Sequence, residues 1–213
     1  MTWQTILFDL DGTLTDSAVG ITRAASYALA KFHIDAAPEA LYHLVGPPLQ
    51  ACFMNEYGLE ENDAMEAIRQ FRVYYEDKGW LENSPYPGVF QLLQHLREAG
   101  KDLLVVTSKA EHQAVRILEH FGLAPFFDDI CGVHIGASEL HEKADILRRA
   151  LHGRSTSGCI MVGDRRYDME AAHAVGLPAV GVTYGYGSLA ELADCGADYI
   201  LHSVVQLEQF LLE

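Results

Sequence analysis

The sequence predicts an α/β protein: a doubly wound parallel sheet with a helical domain inserted after the first strand. Short apolar runs recur near the start and again through the second half of the chain. Helical stretches separate them, most of them closed by a glycine. One long interval, 16–85, has helical periodicity and no strand pattern. Apolar strands that alternate with helices are buried on both faces, which is the condition of a parallel sheet covered on both sides.

The elements follow in order. Thr5-Ile6-Leu7-Phe8 is the first strand. Ala18–Phe32, Leu49–Tyr57 and Ala64–Trp80 read as three helices, and Val45-Gly46-Pro47-Pro48 as a stiff turn between two of them. Seventy residues of helical pattern are too many for a loop in a compact domain, so 16–85 is expected to be a domain of its own. Residues 1–15 and 86–213 then form the α/β core, re-entered through Pro85-Tyr86-Pro87-Gly88. The later strands are Leu103–Val106, Ile130–Val133, Cys159–Val162 and Ala179–Val182, with Tyr199–Leu201 as an edge. Between them Val89–Ala99, Ala110–Phe121, Glu142–Leu151 and Tyr167–Val175 are helical, stopped by Gly100, Gly122, Gly153 and Gly176.

Composition narrows the function. Half of the 213 residues are hydrophobic and 21% are charged, which excludes a disordered or collagen-like chain. No apolar run reaches the roughly 18 residues that a membrane helix needs. The Met1-Thr2-Trp3-Gln4 start lacks the basic and apolar stretches of a signal peptide, so a cytoplasmic protein with no membrane partner is expected. The net charge of −15 argues against a nucleic-acid polymer as partner. An anionic substrate would need a local cation to overcome that field. Cys52, Cys131, Cys159 and Cys195 form no CxxC pair and read as free thiols.

The polar residues at the strand ends carry the chemistry. Phe8-Asp9-Leu10-Asp11-Gly12-Thr13 places two acids two apart on an extended chain, facing the same way. Carboxylates so close repel unless a cation or a shared proton compensates. An Asx turn is the plain alternative. A calcium loop of the EF-hand type fails, because its sixth and twelfth positions hold Leu14 and Gly20. The second strand ends in Thr107-Ser108, hydroxyls that suit a phosphoryl oxygen or a helix N-cap. Lys143 follows Glu139-Leu140-His141-Glu142 at a helix start. Asp164 follows Gly163 directly, and Asp168 lies one helical turn on. Each taken alone has an ordinary structural reading. In a doubly wound sheet, however, these junctions converge at one end. Four carboxylates there ask for a hard cation with oxygen ligands, Mg²⁺ first, and the metal with Lys143 and Thr107 would receive a dianionic group.

Asp9-Leu10-Asp11-Gly12-Thr13-Leu14-Thr15-Asp16-Ser17 resembles the first motif of the haloacid dehalogenase superfamily of phosphohydrolases. Thr107, Lys143 and Gly163-Asp164 with Asp168 resemble its second, third and fourth motifs. The helical insert resembles the superfamily's cap, and the core its Rossmann-like sheet. Lys78-Gly79-Trp80-Leu81-Glu82-Asn83, Tyr86-Pro87-Gly88, Gly185-Tyr186-Gly187 and Gly196-Ala197-Asp198 are similar to the phosphoglycolate phosphatase branch, which also includes 5′-nucleotidases. Arg165 departs from the pattern, standing where many members have a small hydroxyl residue.

The resemblance implies a Mg²⁺-dependent phosphatase of small phosphorylated metabolites, a monomer or homodimer. Asp9 would be the nucleophile, forming an aspartyl-phosphate. Asp11 would protonate the leaving alkoxide and then activate water. Thr107, Ser108 and Lys143 would hold the phosphoryl oxygens. Asp9, the Asp11 carbonyl, Asp164 and Asp168 would hold the metal. The candidate substrates are 2-phosphoglycolate and 5′-nucleoside monophosphates. The insert is acidic and carries Tyr27, Phe32, Tyr42, Phe53 and Trp80, which tilts the choice toward nucleotides, whereas Arg23 would suit a carboxylate. A phosphosugar mutase of the same superfamily is the alternative; close mutases carry a cap His where this chain has Ile21, and His33 lies three turns further on. A phospho-acceptor signalling module, from another class, would need neither cap nor Asp11.

Overall fold

The structure, a computed structural model, describes residues 2–134 and 142–213. The chain divides into two compact units, Met1–Thr15 with Pro85–Glu213, and Asp16–Ser84. The first is a six-stranded parallel sheet. Its strands are β1 (Thr5–Phe8), β4 (Asp102–Ala110), β5 (Asp129–Val133), β6 (Cys159–Gly163), β7 (Ala179–Val182) and β8 (Tyr199–Leu201). Two-residue strands β2 (Thr15–Asp16) and β3 (Ser84–Pro85) pair where the chain leaves and re-enters this unit. The sheet order is β5-β4-β1-β6-β7-β8. Order therefore reverses on the two sides of β1, and ligands of open α/β sheets bind outside the carboxyl ends of the strands at such a switch.

Alternation along the strands explains the two layers. Ile6 and Phe8 point to one face, where α4 (Val89–Glu98), α5 (Glu111–His120) and α9 (Val204–Leu212) contribute Leu93, Leu118 and Leu207. Leu7 points to the other, covered by Ile146 of α6 (Lys143–Ala150), Met169 of α7 (Arg166–Ala174) and Leu192 of α8 (Leu189–Asp194). Gly100, Gly122, Gly153 and Gly176 all have positive φ, the conformation a helix stop uses. Helices α8 and α9 are absent from the sequence reading. Each starts on a serine, Ser188 and Ser203, whose hydroxyl accepts the backbone N–H three residues on.

The inserted unit holds α1 (Ala18–Ala30), a 3₁₀ turn at Pro38–Leu44, α2 (Leu49–Asn55), α3 (Glu61–Asp77) and a second 3₁₀ turn at Gly79–Leu81. Its core is small side chains around Leu29, Leu41, Leu44 and Phe53. Helix α3 starts a turn earlier than periodicity suggests, with Glu61 and Asp63 in its first turn, where acids meet the positive end of the helix. It ends before Gly79, whose carbonyl would lie 2.0 Å from a Cβ at Gly20, so α1 approaches here only because position 20 is glycine. Among the described residues no helix is long and apolar enough to cross a membrane. All four cysteines are free.

Candidate active site

The site is assembled at the carboxyl ends of β1, β4 and β6. Phe8 lies level with Val105 and Val162, so Asp9, Thr107 and Asp164 leave the sheet from three adjacent strands. The Asp9 N–H donates to the Val162 carbonyl, continuing the ladder for one more residue. The chain then turns sharply: the Leu14 N–H returns to the Leu10 carbonyl and the Gly12 N–H to that of Thr15. Gly12 sits at φ 85°, and a Cβ there would lie 2.2 Å from the Asp164 carboxylate. Gly163 stands similarly against Asp168, and Gly185 and Gly187 against Asp164. Gly12, Gly163 and Gly185 thus let the backbone close around two carboxylates, and Gly187 lets it approach the Asp164 carbonyl.

Four charged residues are buried here: Asp9, Lys143, Asp164 and Asp168. The Lys143 ammonium lies 2.9 Å from Asp9 Oδ2 and also contacts Asp168 Oδ1. Burial alone would push the ammonium down, but Asp168 and Asp9 together outweigh it and raise its pKa. Burial drives Asp9 the other way, up to about 6, with Lys143 opposing and Asp168 reinforcing the shift. Asp164 is pushed well above the carboxylate range by burial and by Asp168 and Asp9. Asp164 is oriented by neighbours: Thr13 donates its hydroxyl to Oδ1 at 3.3 Å, and the Tyr186 N–H donates to Oδ2 at 2.7 Å. Asp168 uses Oδ2 to accept the Arg165 N–H at 3.0 Å, capping α7, and turns Oδ1 to Lys143. A single side chain thus caps α7 with one oxygen and meets Lys143 with the other.

Asp9, Asp164 and Asp168 each present an oxygen within 4.8 Å of the others, a spacing that suits one small cation. Asp9 Oδ1 is buried with no hydrogen-bond donor among the described residues. An orphaned buried carboxylate oxygen is costly, and three carboxylates around one ammonium could be balanced by a metal ion. The donor set is all oxygen, as a hard divalent cation of the Mg²⁺ type requires. Asp11 stands apart from this cluster. Its side chain is one-fifth exposed, and its Oδ2 pairs with Lys109 at 2.7 Å.

Strand β4 runs on past Val106 to Ala110, through polar residues that the apolar pattern does not include. Thr107 is therefore not a helix N-cap; it is buried, and its hydroxyl accepts the Lys109 N–H at 3.2 Å. Ser108 is exposed. The lead-in Glu139-Leu140-His141 lies outside the described residues. Lys109, Thr13 and Tyr186 are the site residues that sequence reasoning missed. For Lys109 the local sequence carries no signal: its N–H turns back to the Thr107 hydroxyl within a register irregularity of β4, so simple alternation does not place its side chain. Arg165 is held by Glu191, which accepts from its Nε at 2.8 Å and from the Arg166 N–H at 3.0 Å. The departure from the common pattern thus braces the start of α7 against α8.

Known proteins match this arrangement. The model of the haloacid dehalogenase-like hydrolase family matches residues 6–182. A protein of Pseudomonas aeruginosa named 5′-nucleotidase is 40% identical over 193 residues, covering 89% of this chain and 87% of its own. A phosphoglycolate phosphatase of Agrobacterium fabrum is 31% identical, covering 97% and 91%. A Mycobacterium tuberculosis protein named tyrosine-protein kinase PtkA is 44% identical over 86% of this chain, which spans 63% of that protein. Among solved structures, one described as a predicted phosphatase from Clostridium acetobutylicum is 43% identical, with TM-score 0.93 over 100% of this chain and 99% of its own. The fold, the strand-end acids and these relatives agree, and the chain belongs to the haloacid dehalogenase-like hydrolases, as a phosphatase.

Proposed function

We propose that the α/β unit hydrolyses small phosphate monoesters through an aspartyl-phosphate on Asp9, with 5′-nucleoside monophosphates or 2-phosphoglycolate as substrates. The observation that carries this reading is the Asp9 carboxylate itself, buried, held by Lys143 through one oxygen and without a donor on the other. A carboxylate fixed in this way can attack phosphorus through one oxygen and leave the other to a cation. Asp11, two residues on and partly exposed, gives a proton to the leaving oxygen and takes one from the water that cleaves the intermediate. Lys143 and Thr107, with the backbone around Ser108, hold the phosphoryl oxygens as charge shifts in the transition state. Asp9, Asp164 and Asp168 would hold Mg²⁺, with the Asp11 carbonyl, and the metal would supply charge neutralisation at the phosphoryl group.

The similarity to a 5′-nucleotidase over nearly the full length of both chains supports the nucleotide, and the phosphoglycolate phosphatase supports the smaller acid. The relative named a tyrosine kinase favours a second reading, in which the phosphoryl group passes to a tyrosine hydroxyl instead of water. One panel separates them: nucleoside monophosphates, 2-phosphoglycolate and p-nitrophenyl phosphate with Mg²⁺, with and without a tyrosine peptide. Free phosphate released from the esters, with no label on the peptide, is the expected result. No release from any ester would overturn the hydrolytic reading.

A further inference from the structure

We infer that Lys109 is a positioning residue for Asp11, holding its carboxylate in the place from which it takes a proton from water. The inference rests on the role proposed above for Asp11. Lys109 lies near the end of β4, inside a register irregularity: Val106 pairs with Cys131, but Ala110 pairs with Val133. Four residues of β4 thus oppose two of β5, and such a bulge re-aims side chains beside a site. The Lys109 N–H is tied to the Thr107 hydroxyl, so the turn that orients Thr107 also orients Lys109.

The Lys109 side chain is 7% exposed, a degree of burial that lysine seldom adopts without a partner. Its ammonium meets Asp11 Oδ2 at 2.7 Å, while Asp11 Oδ1 is buried with no donor among the described residues. One oxygen is therefore anchored and the other is left to accept a proton. Lys143 does not do this work, because its contacts are with Asp9 and Asp168. The two lysines divide the motif: Lys143 serves the first aspartate and Lys109 the second.

The test uses p-nitrophenyl phosphate with Mg²⁺ and three variants: Lys109→Met, Asp11→Asn and the double substitution. Melting curves establish that each folds, and Lys109→Gln carries the same test if the Met variant does not. Lys109→Met is expected to lower kcat about ten- to a hundredfold, with KM changed less than about threefold, because a misplaced group costs rate rather than binding. Phospho-enzyme, trapped by acid quench, should accumulate. In the Asp11→Asn background the Lys109 substitution should cost little more, since the group it serves has gone. Losses that multiply in the double variant, a raised KM with unchanged kcat, or wild-type kinetics for Lys109→Met would each overturn the inference. An Asp11→Asn enzyme as fast as wild type would instead remove the role of Asp11 itself, a separate failure.

Discussion

In the α/β unit, Asp9, Lys143, Asp164 and Asp168 are all buried, whereas the helical unit buries no charged residue among those described. The helical unit is the more acidic in proportion, with eleven acids and five bases, yet its ion pairs are solvated. Arg23–Glu82, His43–Glu56 and Arg69–Glu66 each have at least one partner about half exposed. Such pairs contribute little to stability and are screened by salt. Three carboxylates sunk around one ammonium are different in kind, because desolvation is opposed by too few partners. Charge that the fold could have left in water, and instead holds dry and under-compensated, marks the reacting centre. Charge that stays wet describes a surface.

The largest expected effect breaks that contrast at its centre. Asp9→Asn should reduce turnover by more than about 10⁴-fold, beyond what loss of acid–base help alone gives, while the protein stays folded. Steady-state rates with melting curves check it, and a folded variant retaining a hundredth of the wild-type rate would show that another group attacks. Asp11→Asn should cost about 10²–10⁴-fold and leave phospho-enzyme detectable by acid quench. Its absence with p-nitrophenyl phosphate would count against the acid–base role and leave Asp9 untouched.

The next effect sharpens the electrostatic side. Asp9 is raised to about 6 by burial, and Asp164 is raised as well. A folded carboxyl with a raised pKa binds protons that the unfolded chain has already released. Without metal, stability should therefore fall as pH rises from about 4 through about 6, and stay lower above that. Mg²⁺ needs the ionised cluster, so its stabilising effect should grow over the same range. Melting temperatures in chelator and in Mg²⁺, at about pH 5 and about pH 8, check both slopes. An equal metal effect at the two values would remove Asp9 and Asp164 from the binding site.

The same contrast explains what was legible in the sequence. Strands β1, β7 and β8 coincide with their apolar runs, because a strand buried on both faces has little choice of composition. Asp9, Asp164, Asp168 and Lys143 were legible because each follows a strand or opens a helix, and topology brings those ends together. The tail of β4 was legible only as far as Thr107-Ser108, since the pairing that carries the strand on to Ala110 depends on β5. Lys109 was missed for that reason. Thr13 and the Tyr186 N–H were missed because they act by hydrogen bonds across 151 and 22 residues of chain, which no local pattern records.

The smallest expected effect lies in the helical unit, at the residue the sequence offered as a carboxylate clamp. Arg23 is half exposed, and its guanidinium is bound to Glu82 at 2.6 Å, with Tyr74 donating its hydroxyl to the same carboxylate. A cation already neutralised this closely must exchange its partner before it can bind a substrate acid, so its differential value for phosphoglycolate is small. Arg23→Ala should therefore change kcat/KM for 2-phosphoglycolate, for a nucleoside monophosphate and for p-nitrophenyl phosphate by less than about threefold each. A loss of tenfold or more for phosphoglycolate alone, equivalent to about 1.4 kcal/mol of transition-state binding, would show that the Glu82 pair opens and that this unit reads the substrate's second charge. Glu82→Gln sharpens the reading: if Glu82 competes for the guanidinium, releasing Arg23 should raise kcat/KM for phosphoglycolate and leave p-nitrophenyl phosphate unchanged.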